Sequence, residues 1–298
     1  FGENRLLLDA YEFNRVDAAI TRSASAGQYR TGVTNLNIPY RTNQLEVLLM
    51  NNHRSFITSD ERVRKAIRYA IDVDAICNAV YSGTANRTDT PMPYGTWMYG
   101  VDESYFEYNP EKAKALLAEC GWEHLDGDTT LDKFENNEKT SLSLTLLVYE
   151  EQENNVRTPA AHLIERMLED VGFSVNVSTV TFARASEKLR ASSFDLCLAA
   201  FQMDVVPDPG FLLMANNTGN YGLYKSTEMD NLFKKLRTTM DKNTYQSLLF
   251  QIQDQFGKDC PFLCLYYRCG AVLTRKVYTN AHDVREPEIL RGIEAISN

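Results

Sequence analysis

The chain has 298 residues, with 31 Lys and Arg against 40 Asp and Glu, for a formal charge of −9. A 44% hydrophobic and 24% charged composition supports packed cores, which excludes disorder as the dominant state, and the length fits one large domain or two ordinary ones at roughly 150 residues each. The acidic balance leaves no basic excess to neutralise phosphates, so nucleic acid is not an expected partner, and no apolar run approaches the ~18 residues of a membrane span.

The chain opens at Phe1 rather than Met and soon turns apolar at Leu6-Leu7-Leu8, as expected of a processed or truncated chain. Ser59-Asp60 precede a helix whose apolar face is Val63, Ala66, Ile67, Ala70 and Ile71. The basic groups Arg62–Lys65 and Lys234–Arg237 alternate with apolar residues and read as solvated helix faces. Asp72 can cap a following helix through Ile76 and Val80, with Gly83 as its stop. Residues 84–106 lose periodicity but carry Tyr94, Trp97, Tyr99, Tyr105 and Phe106, which need packing partners, so an ordered loop is expected and 91–106 is a candidate pocket wall. Asn109, Pro110 and Gly121 punctuate the next helix at its cap, first position and end. Residues 123–141 are polar and read as an exposed excursion.

From residue 142 the pattern becomes β-α-β-α-β. Strands are expected at Leu142–Val148, around Phe173–Val177 and at Phe194–Phe201, with helices after Thr158-Pro159 and around Ala183–Arg190. The last of these strands is apolar throughout, as a central parallel strand requires. Two further helices follow Thr227 and Asn243, then a strand at Pro261–Tyr267. The loop Asp204-Val205-Val206-Pro207-Asp208-Pro209-Gly210 directly follows the third strand, and open α/β sheets bind ligands at the carboxyl ends of their strands.

Asp204 and Asp208 could serve as an acid/base pair in a hydrolase, as a ligand-facing charge, or as turn formers. The four histidines, His53, His124, His162 and His282, have no metal-ligand spacing, and no serine lies in a nucleophile-elbow context, so no catalytic residue, metal site or cofactor is expected. Six cysteines form no CxxC; buried free thiols are the leading reading and a single disulfide the next, with Cys260 and Cys264 on one face of a strand and Cys269 on the other.

The run Asp60–Asp72 resembles the signature of the family 5 bacterial extracellular solute-binding proteins, which include oligopeptide- and dipeptide-binding components of ABC importers. Ser82-Gly83 with Pro91-Met92-Pro93, the helix Tyr108–Trp122, the turn Asp204–Pro209, and Asn220–Ser226 followed by Met229–Leu232 are similar to further family motifs in the same order, over about residues 40–280. Phe201 stands where the family often has Trp, and Val205 where it often has Tyr.

The resemblance implies an α/β fold: a periplasmic-binding-protein-like lobe of the class II type, a mixed sheet flanked by helices, with partial segments of the other lobe. It divides the chain into 1–45, the end of the first lobe and crossover; 46–261, the second ligand-binding lobe; and 262–298, the return segment. It implies a receptor without enzymatic activity that closes on a small solute, with short peptides first, and nickel chelate, heme or oligosaccharide as alternatives. Asp204 would pair with a ligand's α-ammonium and Phe201 would lie against the ligand; with Gln202, Met203 and Tyr221 these are the candidate ligand-binding residues. An ABC permease and the missing N-terminal lobe would be the partners. The location would be periplasmic or the outer face of the cytoplasmic membrane, with a lipid anchor on the full-length protein.

Overall fold

The computed structural model describes residues 4–29, 35–82, 85, 87–135, 137–151, 155–206, 208–275, 284, 286, 288 and 289. Gly83, Pro207, His282 and most of the expected return segment lie outside the described residues. In chain order the elements are α1 (Asn4–Glu12), β1 (Ala18–Thr21), β2 (Leu36–Met50), α2 (Glu61–Ala70), α3 (Val73–Tyr81), α4 (Pro110–Glu119), β3 (Asp132–Glu135), β4 (Glu138–Ser141), β5 (Ser143–Tyr149), α5 (Arg157–Glu169), β6 (Ser174–Val180), α6 (Phe182–Arg190), β7 (Leu196–Gln202), α7 (Gly210–Leu213), α8 (Thr227–Thr238), α9 (Lys242–Asp259) and β8 (Phe262–Thr274).

Short polar side chains start the helices. Asp60, Asp72 and Asn109 accept hydrogen bonds from the backbone N–H of Arg62, Ala75 and Lys112, satisfying donors that a first turn leaves open. Gly121 ends the α4 region at φ +83, a conformation that side chains with a Cβ resist. Caps differ from expectation where two candidates compete: Ser226 rather than Thr227 caps α8, and Asp241 rather than Asn243 caps α9. Helix α5 starts at Arg157, because the Glu151 carboxylate accepts from the N–H groups of Val156 and Arg157.

The main sheet has the order β1-β8-β2-β7-β5-β6. Strands β7, β5 and β6 are mutually parallel, as the β-α-β-α-β pattern requires, while β1, β8, β2 and β7 pair antiparallel, so the sheet is mixed. Alternate side chains go to opposite faces. Leu48, Met50, Leu146 and Leu198 pack with α2–α5 through Val63, Ile67, Ile76, Leu117 and Ile164. Leu45, Val47, Leu147, Cys197 and Ala199 pack on the other face with Phe233, Leu249, Ile252 and Phe256 of α8 and α9. Each fully buried Leu or Phe contributes about 1.5–3 kcal/mol relative to an exposed one.

Strands β2 and β8 reach beyond this double core. Their register breaks between Arg41 and Leu45; past the break, Leu36–Arg41 pair with Cys269–Thr274, and β1 adds to β8. A small separate cluster of Leu8, Tyr11, Ala19, Ala26, Ala271 and Leu273 covers that end. At the joint Gly270 lies opposite Tyr40, and a Cβ there would fall 2.4 Å from the Tyr40 ring and 2.7 Å from the Thr21 carbonyl oxygen.

Several expectations are corrected. Arg64 does not lie on a solvated face: it is buried, and its guanidinium donates to the carbonyls of Thr58, Ser59, Asp259 and Cys260, fastening α2 to the end of α9. Cys260 is a left-handed residue ending α9 rather than a strand residue, and it packs on the α2–α5 side, opposite Cys264. All six cysteines are buried free thiols. Residues 132–141 form the β3–β4 hairpin, near which Lys139 bridges Asp126 and Asp132. The aromatic segment before α4 is ordered as expected: Phe106 stacks on Phe256 with centroids 6.4 Å apart, and buried Gln253 donates to the Met98 carbonyl and accepts from the Thr90 hydroxyl.

Candidate functional site

The carboxyl ends of β5, β6 and β7 meet at one edge of the sheet, where the run from Phe201 to Asp204 emerges. The Phe201 ring is partly buried between Phe211, edge-on at 5.8 Å, and Tyr221, stacked at 6.4 Å. Gln202 is exposed and lies opposite Gln44. Met203 is turned into the core, and its N–H donates to the Asn43 carbonyl at 2.8 Å, which extends the β2–β7 pairing by one rung. Asp204 is exposed, with no hydrogen-bond or ion-pair partner among the described residues, and exposed Val205 and Val206 follow it. The five candidate residues therefore come to one place, though in unequal roles: Asp204 and Gln202 are open, Phe201 and Tyr221 form a half-buried stack, and Met203 supports them from below.

Asp208 has a different environment. Its carboxylate receives two guanidinium N–H groups of Arg237, at 3.0 and 2.8 Å, and the N–H of Gly210 at 2.9 Å. It is a turn and helix-start residue held by an ion pair, and is not available as half of an acid/base couple with Asp204.

The structure adds residues that the sequence reading missed. Tyr149, the last residue of β5, packs edge-on against Phe182 at 5.3 Å, and the Phe182 ring is 64% exposed at the start of α6. Tyr149 lies at the carboxyl end of β5 and Phe182 just past that of β6, and that position is the signal that could have found them. Behind Tyr149 the guanidinium of Arg157 lies 4.1 Å from the ring centroid. Burial pushes the Tyr149 hydroxyl up to about 12, against the pull of Arg157, so it stays a neutral donor at physiological pH.

Arg157 belongs to a buried quartet. It binds Glu46 through two bonds, at 3.0 and 2.8 Å, and Glu151 at 2.9 Å; Arg268 binds Glu46 at 2.5 Å and also Glu151. Two positive and two negative charges close on themselves beneath the site edge, holding β2, β8 and the start of α5 in one arrangement. The expected pocket wall at 91–106 lies elsewhere: Tyr94 and Tyr99 line an open cavity of about 460 Å³ with Asp74, Arg87 and Asp89, beside α3.

A mixed α/β sheet covered by helices on both faces, with aromatics and a carboxylate unpaired among the described residues at the parallel-strand ends, is the architecture of a periplasmic-binding-protein-like lobe. The family model described as bacterial extracellular solute-binding proteins, family 5, middle, matches residues 9–222, and the chain belongs to this family. It is 29% identical over 223 residues to the oligopeptide-binding protein AppA of Bacillus subtilis, an alignment covering 72% of this chain and 40% of that protein. To heme-binding protein A of Haemophilus influenzae it is 27% identical over 216 residues, 70% of this chain and 37% of that protein. The chain thus spans about two fifths of the length of these curated relatives. The solved structure of Bacillus subtilis AppA in complex with a nonapeptide shares the fold, with a TM-score of 0.78 at 22% identity over 99% of this chain and 58% of that one.

Proposed function

We propose that this chain is the ligand-binding part of an extracellular receptor that captures short peptides for an ABC importer. The observation that carries the reading is Asp204, an exposed carboxylate without a partner among the described residues at the carboxyl ends of parallel strands, next to the Phe201–Tyr221 stack. A carboxylate in a closing, partly dried cleft holds an ammonium group by charge-assisted hydrogen bonds, and the flanking aromatics and Val205 suit the apolar parts of a peptide. Residues 46–261 form the second lobe, 1–45 the end of the first lobe and its crossover, and 262–298 the return segment. The register break between Arg41 and Leu45, and the separate small core beyond it, support a boundary there. The receptor does no chemistry: the remaining part of the first lobe closes over the site, sequesters the solute and presents it to the membrane permease. The full-length protein works outside the cytoplasmic membrane, held by a lipid anchor.

The test uses the full-length mature protein with trialanine and its N-acetylated form. The Asp204→Asn variant is expected to bind trialanine about 10- to 100-fold more weakly, consistent with a charge-assisted bond of about 1.5–3 kcal/mol, while its binding of the acetylated peptide is unchanged. Unaltered affinity for trialanine removes Asp204 from the site.

A further inference from the structure

One buried arginine keeps hydrogen-bond donors that the protein does not satisfy. Arg68, on α2, is 5% exposed. Its Nη1 donates to the Gly257 carbonyl at 2.7 Å, and its guanidinium carbon lies 5.1 Å from the Tyr69 ring centroid and 5.2 Å from that of Phe106. Nε and Nη2, which share one edge of the planar group, meet no acceptor among the described residues. Aromatic rings attract the cation without satisfying these two N–H groups. The other buried arginines are placed differently. Arg64 donates to four carbonyls, and Arg157 and Arg268 are paired with carboxylates. Arg68 has no ion pair among the described residues, and a buried charge without a counter-charge is costly.

Arg68 also lines a small cavity of about 20 Å³ where α2, the end of α9 and the start of β8 meet, with Ile71, Phe106, Phe256, Leu263 and Asp89 among its walls. That volume holds one particle the size of a water molecule or a monatomic ion. Asp89 is the only carboxylate lining it, and its oxygens already accept from Arg87 at 2.6 Å and from the Tyr99 hydroxyl at 2.9 Å. A water molecule here would receive the two N–H groups but would face mostly apolar walls with its own hydrogens. An anion needs only donors, and it supplies the counter-charge that the guanidinium lacks.

We infer that this cavity is a binding site for one monatomic anion, a halide such as chloride, held on Nε and Nη2 of Arg68. The inference is independent of the peptide reading, since it concerns α2, α9 and β8 rather than the edge at Asp204. The bound ion ties the guanidinium of α2 to the segment carrying Phe106 and to the first residues of β8, so occupancy stabilises the folded lobe. Polyatomic anions such as sulfate and acetate are too large for the volume.

Thermal melts of the full-length mature protein in sodium gluconate, acetate, sulfate, chloride and bromide at constant ionic strength test it. Chloride and bromide are expected to raise the melting temperature saturably by about 2–6 °C over gluconate, with no rise in acetate or sulfate. Arg68→Met should abolish the halide response. Crystals grown in bromide should show an anomalous peak within hydrogen-bonding distance of Nε and Nη2 of Arg68. Equal melting in gluconate and bromide overturns the inference and leaves a water molecule as the occupant. An equal rise in sulfate, or a halide response retained by Arg68→Met, also overturns it, since either marks a general salt effect. Should Arg68→Met fail to fold, the wild-type halide response and the bromide peak decide, and absence of the peak overturns the site.

Discussion

Three aspartates show how the environment of a residue, more than its type, decides what it can do. Asp204 is open and unpaired among the described residues, Asp208 is held by Arg237, and Asp89 is largely buried, with Arg87 at 2.6 Å and the Tyr99 hydroxyl at 2.9 Å. For Asp89 burial is the larger influence and holds its carboxyl above the usual carboxylate range, in spite of Arg87 and Tyr99. A raised folded-state pKa means that the folded protein binds a proton more tightly than the unfolded chain. Stability is then lost as pH rises from the unfolded value near 4 through the raised one. Asp89→Asn removes this proton-linked loss, so its melting temperature relative to wild type should climb across that window and level off above it. Parallel thermal melts between pH 3.5 and 7 would show it; a constant difference would mean that Asp89 titrates normally.

Among the elements, the joint between β2 and β8 leaves least room for change. The backbone of Thr21 and the ring of Tyr40 enclose Gly270 so closely that one added methyl must displace main chain. Gly270→Ala is expected to cost about 1–3 kcal/mol, as overpacking does, read as a lower urea midpoint with an unchanged slope. Much of the element list was legible in the sequence. The α2 and α4 helices and the β5-α5-β6-α6-β7 unit follow from spacing and punctuation, because each is specified by its own residues. Strand β2, the longest described, is not legible as a strand in the sequence. Pro39 interrupts it where β7 does not reach, the bulge after Arg41 destroys alternation, and its pairing depends on β8, far along the chain. The same dependence hid the burial of Arg64: its acceptors lie at 58–59 and 259–260, and no local pattern joins those segments.

At the scale of the molecule, the buried quartet ties strands from both ends of the chain to the site edge. Glu46 is 1% exposed and serves both arginines. Glu46→Gln leaves two buried guanidinium groups with one carboxylate between them and should cost about 3–5 kcal/mol, measured by chemical denaturation of the full-length protein. A loss under about 1 kcal/mol would show that water reaches the quartet. The candidate site was legible only in part, for a related reason. Asp204 and Phe201 stand on one strand end and in one motif, whereas Tyr149 and Phe182 reach the edge from β5 and α6, and only the sheet order brings them together.

That sheet order also governs when the protein can fold. Among the described residues strand β8 is the last strand made, yet it lies between β1 and β2, and the Glu46–Arg268 contact joins residues 222 positions apart. At the ~5–20 residues per second of ribosomal synthesis, Glu46 waits roughly 10–45 seconds for its second arginine. Until then the central sheet lacks a strand, and the early segments emerge without the partners that would lock them. Contacts this distant in sequence also slow folding once the chain is complete. The threading of β8 between β1 and β2 therefore keeps the central sheet open until that strand has been translated.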